Sequence, residues 1–200
     1  MEEELAKKYY DKWYQEYIAD VDLTKLKWIK LDHAELKEFY DENYYDSEAK
    51  YYAISSKKRG FIVSPFGLEI TSFLFDMEQK KSKHILGIVP NNKGKYTIVC
   101  KIKFREDYML CDTSSPYIYI NCMEVNRFFR NMGISKRSVY QFYNLINMDK
   151  DIIMSDETDN GKECHVNENF CNTLHSLGYT GTIITESELY SPDFKLTLKN

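Results

Sequence analysis

The chain has 200 residues, of which 43% are hydrophobic and 29% charged, and it carries a formal net charge of −4. That size fits one domain, or one domain with a helical appendage, and the charge argues against nucleic acid as the main partner. No apolar run approaches the roughly 20 residues a membrane helix needs. The start, Met1-Glu2-Glu3-Glu4-Leu5, lacks the basic and apolar regions of a signal peptide. A cytoplasmic protein without membrane contact is expected. The 5 cysteines are odd in number and form no Cys-x-x-Cys pair, so reduced core thiols fit better than a disulfide framework. Cys164, His165, Cys171 and His175 lie close together but do not match a standard zinc spacing, and no metal is expected. Most of the 17 tyrosines read as amphipathic packing with the hydroxyl reaching water.

In chain order, residues 2 to about 20 read as a helix, with Leu5, Tyr9, Trp13 and Tyr17 on one face. Leu26 to Leu31 reads as a short strand. Asp32 is an N-cap, and Glu35 three residues on completes a capping box. A second helix then runs to about Tyr45, with Leu36, Phe39 and Tyr40 inward. Asp46 to Gly60 is polar and ends in a basic turn. Phe61 to Val63 and Leu68 to Phe75 are candidate strands. His84 to Val89 is a strand stopped by Pro90, and Asn91-Asn92-Lys93-Gly94 is a hairpin turn. From Lys95 to Arg105, strand period puts Tyr96, Ile98, Cys100, Ile102 and Phe104 on one face. Tyr117 to Val125 is the next strand. A helix over 136–146, a strand over 151–155, a polar loop from Asp156 to Gly161 and a helix over 166–177 follow. Gly178 caps the last helix, and 180–185 is the final strand, with a tail to Asn200.

One stretch carries chemistry. Val125 to Ser135 reads Val-Asn-Arg-Phe-Phe-Arg-Asn-Met-Gly-Ile-Ser and joins a strand to a helix, with Gly133 at the joint. The first backbone N–H groups of a helix have no partner inside it and carry the positive end of its dipole. A loop that delivers them to a ligand makes a phosphate site from backbone alone, and glycine lets the chain approach closely. An ordinary strand-to-helix connection is the plainer alternative for a lone glycine joint.

The wider pattern is more specific. Phe129, Arg130, Gly133 and Ser135 stand four, five, eight and ten residues after Val125. This resembles the acyl-CoA signature of the GCN5-related N-acetyltransferase (GNAT) superfamily, Arg/Gln-x-x-Gly-x-Gly/Ala, which follows a strand ending in valine. Ser135 stands where Gly or Ala is usual. A second family pattern, Asn-x-x-Ala-x-x-Leu-Tyr-x-x-x-Gly-Phe, is similar to Asn167 through Tyr179. Phe170 fills the Ala slot, and Leu174 fills the slot of the tyrosine that often acts as general acid. The order of strands and helices from His84 onward also fits, so the resemblance covers about residues 60–190.

The resemblance implies an α/β (α+β) fold, a GNAT-like mixed central β-sheet flanked by helices. A helical extension, residues 1–50, would pack on an acyl-CoA-binding domain, residues 51–200. It implies an N-acyltransferase that moves an acetyl group from acetyl-CoA to an amine, small or on a protein. Backbone groups of Met123 and Val125 would hold the pantetheine arm and polarise the carbonyl. Arg130, Asn131, Met132, Gly133, Ile134 and Ser135 would hold the pyrophosphate, with Lys136 adding charge, and Asn167 would contact the cofactor. Glu124 is the candidate base because it lies on the cofactor strand; a surface or paired carboxylate is its plainer reading. Tyr143, Cys171 and His175 are the open choices for general acid. Asp156, Glu157 and Asp159 form an acidic rim suited to a cationic amine, or simply a solvated loop. The missing tyrosine and the added N-terminal helices raise the alternative of a catalytically degenerate GNAT-fold protein that binds or regulates through protein contacts. A monomer and a homodimer both suit the sequence.

Overall fold

The capping box expected at Asp32 forms as written. The Asp32 Oδ1 accepts the N–H groups of Ala34 and Glu35 at 2.8 and 3.0 Å, and the Asp32 N–H donates to Glu35 Oε2 at 2.8 Å. In the computed structural model this helix, α1, spans His33–Tyr44. The structure describes residues 8, 11–12, 14–44, 81–110, 115–146, 148–155 and 165–189. The strands expected over 61–63 and 68–75, the loop over 156–161 and the tail from residue 190 on lie outside them, as do Trp13, Cys111 and Cys164.

The described strands form one mixed sheet of 6 in the order β1-β2-β3-β4-β5-β6. They span Lys27–Leu31, Lys83–Pro90, Tyr96–Tyr108, Tyr117–Val125, Ile152–Met154 and Ile183–Thr185. β1 pairs antiparallel with β2, whereas β4, β5 and β6 are parallel. Parallel neighbours need crossovers, and here these contain α2 (Ile134–Leu145) and α3 (His165–Ser176). The architecture is the α+β class the sequence implies. A short α4, Glu186–Leu189, follows β6 where only a tail was expected. Strand β3 departs from the one-faced reading: Thr97, Lys101 and Lys103 are as buried as Ile98 and Ile102. A central strand covered on both faces loses the alternation of exposure that marks a half-buried one.

The chain divides into two compact units, Met1–Lys101 with Glu124–Ile134, and Ile102–Met123 with Ser135–Asn200. The core of the first gathers Tyr17, Ile18, Leu36, Tyr40, Leu86, Ile88, Ile98, Cys100, Phe129 and Ile134. A polar network ties the helical residues 14–17 to the β2–β3 turn. Thr97 Oγ1 donates to the Tyr17 carbonyl at 2.5 Å, and Asn92 Nδ2 donates to the carbonyls of Gln15 and Ala19. The buried Asn43 of α1 accepts the Tyr96 N–H at 3.0 Å, and Lys93 pairs with Glu16 at 2.9 Å. The described residues 14–19 are thus held by one buried hydrogen bond, from Thr97, and by exposed ones from Asn92, as well as by the burial of Tyr17 and Ile18.

In the second unit, Phe142 of α2 is fully buried and meets Phe104 of β3 and Phe170 of α3 edge-on, with ring centroids 5.5 and 5.7 Å apart. Helix α3 ends in a Schellman motif. Tyr179 N–H donates to the Leu174 carbonyl and Gly178 N–H to the His175 carbonyl, with Gly178 at φ 95°. Phe142→Ala is expected to cost about 3–5 kcal/mol in urea unfolding through transfer and cavity terms. Leu145→Ala, on the exposed side of the same helix, should cost about 1 kcal/mol or less. Equal losses would contradict this assignment of the core.

Candidate functional site

Most of the residues singled out in the sequence fall on one loop of the first unit, Glu124 to Ile134. Its geometry is set at Asn126, which is 0% exposed. The Asn126 N–H donates to the Val99 carbonyl at 2.8 Å, and its Nδ2 donates to the Ile98 carbonyl at 3.0 Å. Its Oδ1 accepts the Phe128 N–H at 3.1 Å, capping a 3-10 turn over Arg127–Phe129. One side chain thus pins the end of β4 to β3 and turns the chain away. The strand-to-helix pattern foresaw neither this turn nor the role of Asn126.

Apolar pins fix the rest of the loop. Phe129 and Ile134 are 5% and 1% exposed in the first unit's core. Phe128 packs edge-on against Tyr14 at 5.5 Å. Between the pins the backbone turns left-handed twice, at Asn131 (φ 64°) and Gly133 (φ 71°). Asparagine and glycine are the residues that tolerate this conformation. Turns of alternating hand present their N–H groups inward as an anion-binding concavity. Helix α2 begins at Ile134, so its leading amides, which have no intrahelical acceptor, continue directly from the loop. The helix starts two residues earlier than the sequence period indicated. A Cβ built on Gly133 meets nothing within 4 Å, so the space over the joint is open.

Arg130 and Met132 are exposed on this loop, and Glu124 and Val125 are half-buried at the end of β4. Arg130 Nε donates to the Val125 carbonyl at 3.3 Å, so part of the guanidinium closes the loop on itself and engages one of the two carbonyls expected to serve a ligand. In the second unit, Met123 Sδ lies 3.4 Å from Ser138 Oγ, and that hydroxyl donates to the Ser135 carbonyl at 2.6 Å. Lys136 is exposed. Asn167 lies in α3, and its side chain is outside the described set.

Strand β4 outruns its parallel neighbour. The last β4–β5 pair is Ile120 with Met154, and the Ser155 N–H still reaches the Ile120 carbonyl at 3.0 Å. β4 continues to Val125. Leu174, which fills the tyrosine slot, is 0% exposed in the core. The candidate acids are differently placed. His175 Nδ1 lies 3.1 Å from the Tyr179 carbonyl, within the helix cap. The Tyr143 hydroxyl lies near Gly178. Burial pushes the Cys171 thiol up, and the charge of Glu188 adds to that shift. Among the described residues no three metal-binding side chains cluster, and no helix is long and apolar enough to cross a membrane.

A second cluster, unforeseen, joins the ends of β5 and β6. Ser155 Oγ donates to Glu186 Oε2 at 3.3 Å, and both groups reach the half-buried Tyr119 hydroxyl. The Tyr119 ring stacks on Tyr108 with centroids 4.7 Å apart. Burial, opposed by the Ser155 hydrogen bond and reinforced by the Glu186 charge, pushes the Tyr119 phenol up to about 12. Burial also raises Tyr117 and Tyr179, each with help from the Asp151 charge.

No known family profile matches the chain, and no curated protein does. Solved structures do. The aminoglycoside antibiotic 6'-N-acetyltransferase AAC(6')-Ih from Acinetobacter baumannii is 13% identical, with 78% of this chain and 92% of that chain covered at a TM-score of 0.32. The aminoglycoside acetyltransferase meta-AAC0020 from an uncultured soil metagenomic sample, in complex with sisomicin, is 14% identical, covering 88% and 89% at 0.35. The integron cassette protein VCH_CASS6 from V. cholerae is 12% identical, covering 88% and 98% at 0.37.

Two measurements test this geometry. Asn126→Ala leaves the Phe128 N–H and the Ile98 carbonyl without their partner, at a cost of about 1–3 kcal/mol in urea unfolding; no loss would mean the clamp is idle. The Tyr119 phenol ionises later folded than at its usual 10.0, so its stabilising contribution is whole below pH 10 and is lost as pH rises toward about 12. Tyr119→Phe is expected to lose less stability than the parent across that window. Parallel alkaline profiles would contradict the shift.

Proposed function

We propose that the chain is a divergent member of the GCN5-related N-acetyltransferase superfamily, an N-acyltransferase that moves an acetyl group from acetyl-CoA to an amine. The observation that carries this is the Asn126-clamped loop. Its left-handed Asn131 and Gly133 lead the backbone into the start of α2 under open space. A concavity of amides at a helix start suits a pyrophosphate. Arg130, whose guanidinium keeps donors beyond the one on Val125, and the exposed Lys136 add positive charge. Ser135 in place of Gly or Ala is tolerated because this position contributes backbone.

In such a reaction the amine nitrogen attacks the thioester carbonyl carbon, the tetrahedral adduct collapses, and the thiolate leaves. Positioning supplies much of the rate, and donors at the developing oxyanion supply more. The Met123 amide is assigned to the pantetheine arm and thioester carbonyl, and Glu124 to the amine proton. Val125 is assigned a lesser part because Arg130 already engages its carbonyl. Ile134 anchors the helix start through its buried side chain, Met132 offers its backbone, and Asn167 is assigned a cofactor contact from α3. Among the described residues, Cys100, Cys122 and Cys171 are thiols rather than disulfides, and a cytoplasmic setting is assigned to the chain.

One observation favours a second reading, a GNAT-fold protein that binds acyl-CoA or a protein partner without turnover. Leu174, in the usual tyrosine slot, is wholly buried, and His175 beside it is engaged in a helix cap. Isothermal calorimetry with acetyl-CoA followed by an amine screen separates the two. Binding with a micromolar Kd, weakened at least tenfold in Gly133→Trp, is expected. No heat at millimolar acetyl-CoA overturns the thioester reading, and binding without transfer to any amine selects the second.

A further inference from the structure

The cluster at the ends of β5 and β6 lies in the second unit and takes no part in the loop chemistry. Ligands of open sheets with parallel strands gather at the carboxyl ends of those strands. Ser155 directly follows β5 and Glu186 directly follows β6. These two parallel strands are in register, Ile152 with Ile183 through Met154 with Thr185, so the two side chains leave the sheet at the same level.

The two acids of this turn have different work. Glu188 is exposed and caps α4, its Oε2 accepting the Thr185 N–H at 2.7 Å and the Thr185 hydroxyl at 3.0 Å. Glu186 is half-buried, plays no part in that cap, and turns its carboxylate back over the strand ends to Ser155 and Tyr119. Glu186 stands in the first turn of α4, where a carboxylate suits the helix dipole, and from there it also meets the Ser155 hydroxyl. The stacked rings of Tyr108 and Tyr119 stand beside it, over an apolar floor of Ile153, Ile184 and Leu189. Arg105 already lies over the Tyr108 ring, 5.4 Å from its centroid, so the stacked pair serves as a wall, and the half-buried carboxylate with its hydroxyl neighbour can hold an ammonium group through charge-assisted hydrogen bonds.

We infer that Glu186, with Ser155 and the Tyr108–Tyr119 pair, is the subsite that holds a second, non-reacting ammonium group of a polyamine acceptor. The inference rests on the acyltransferase reading. Glu186 and Ser155 are specificity residues, and neither is assigned to the acetyl-CoA loop.

The test is steady-state acetyl transfer from acetyl-CoA to putrescine, cadaverine and spermidine, whose second ammonium group can sit at Glu186 while another nitrogen attacks, with wild type, Glu186→Gln, Ser155→Ala and Glu188→Gln. Acetyl-CoA Kd and Tm are measured for each. Glu186→Gln is expected to raise the acceptor KM at least tenfold, with the acetyl-CoA Kd changed less than twofold. Ser155→Ala should follow in the same direction, less steeply. Glu188→Gln should lower Tm and leave the acceptor KM in place. An unchanged acceptor KM in Glu186→Gln overturns the inference, as does a rise matched by Glu188→Gln, or transfer to none of these amines by a protein that binds acetyl-CoA. Failure of wild type to bind acetyl-CoA is a different result and sinks the acyltransferase reading itself.

Discussion

The buried amide of Asn126 is the constraint on which the candidate site depends. Its donor end holds β4 to the Ile98 carbonyl of β3, and its acceptor end starts the turn over Arg127–Phe129. The donor-end bond is buried and the acceptor-end bond part-buried, so losing either removes a hydrogen bond where water compensates poorly. Everything downstream inherits that anchor: the pins at Phe129 and Ile134, the left-handed Asn131 and Gly133, and the start of α2. The loop is therefore specified by backbone conformation more than by side-chain chemistry. A site of this type needs few particular side chains at its surface, and the residues that define it are the ones underneath.

The same economy appears elsewhere. In the first unit, Asn43, Asn92 and Thr97 carry hydrogen bonds across 53 to 80 residues of sequence. Short polar side chains aimed at backbone groups join segments that apolar contact alone leaves free to slide, and each unmet partner is costly in a buried setting. The N-terminal helical residues support Phe128 through Tyr14, which links them to the loop within one unit. In the second unit, packing is aromatic, with Phe142 between Phe104 and Phe170. The sheet changes from antiparallel at β1–β2 to parallel at β4–β5–β6, and the strands that change partners also supply the candidate sites.

What could be read from the sequence was local. The Asp32–Glu35 box, the turn after Pro90 and the glycine cap at Gly178 each depend on residues within about five positions of one another, and each formed. Strands 117–125 and 151–155 were legible from β-branched runs. What escaped was tertiary. Lys101 and Lys103 look like the polar face of a half-exposed strand, but β3 is covered on both sides. Asn126 looks like a turn residue, and only the placement of Ile98 gives it a second partner. Ser155 and Glu186 are 31 residues apart, and the parallel register of β5 and β6 that brings them together has no local signature. His175, weighed as a general acid, is taken up in the helix cap, and Leu174, in the tyrosine slot, is taken up by packing.

The most direct test of the central claim, that the Asn126-clamped loop cradles an acyl-CoA pyrophosphate, is amide chemical-shift mapping during an acetyl-CoA titration. The account predicts saturable shifts that are largest at the amides of residues 130–135, and their absence when acetate replaces acetyl-CoA. Saturable binding that leaves those amides in place, with its shifts elsewhere in the chain, would contradict it.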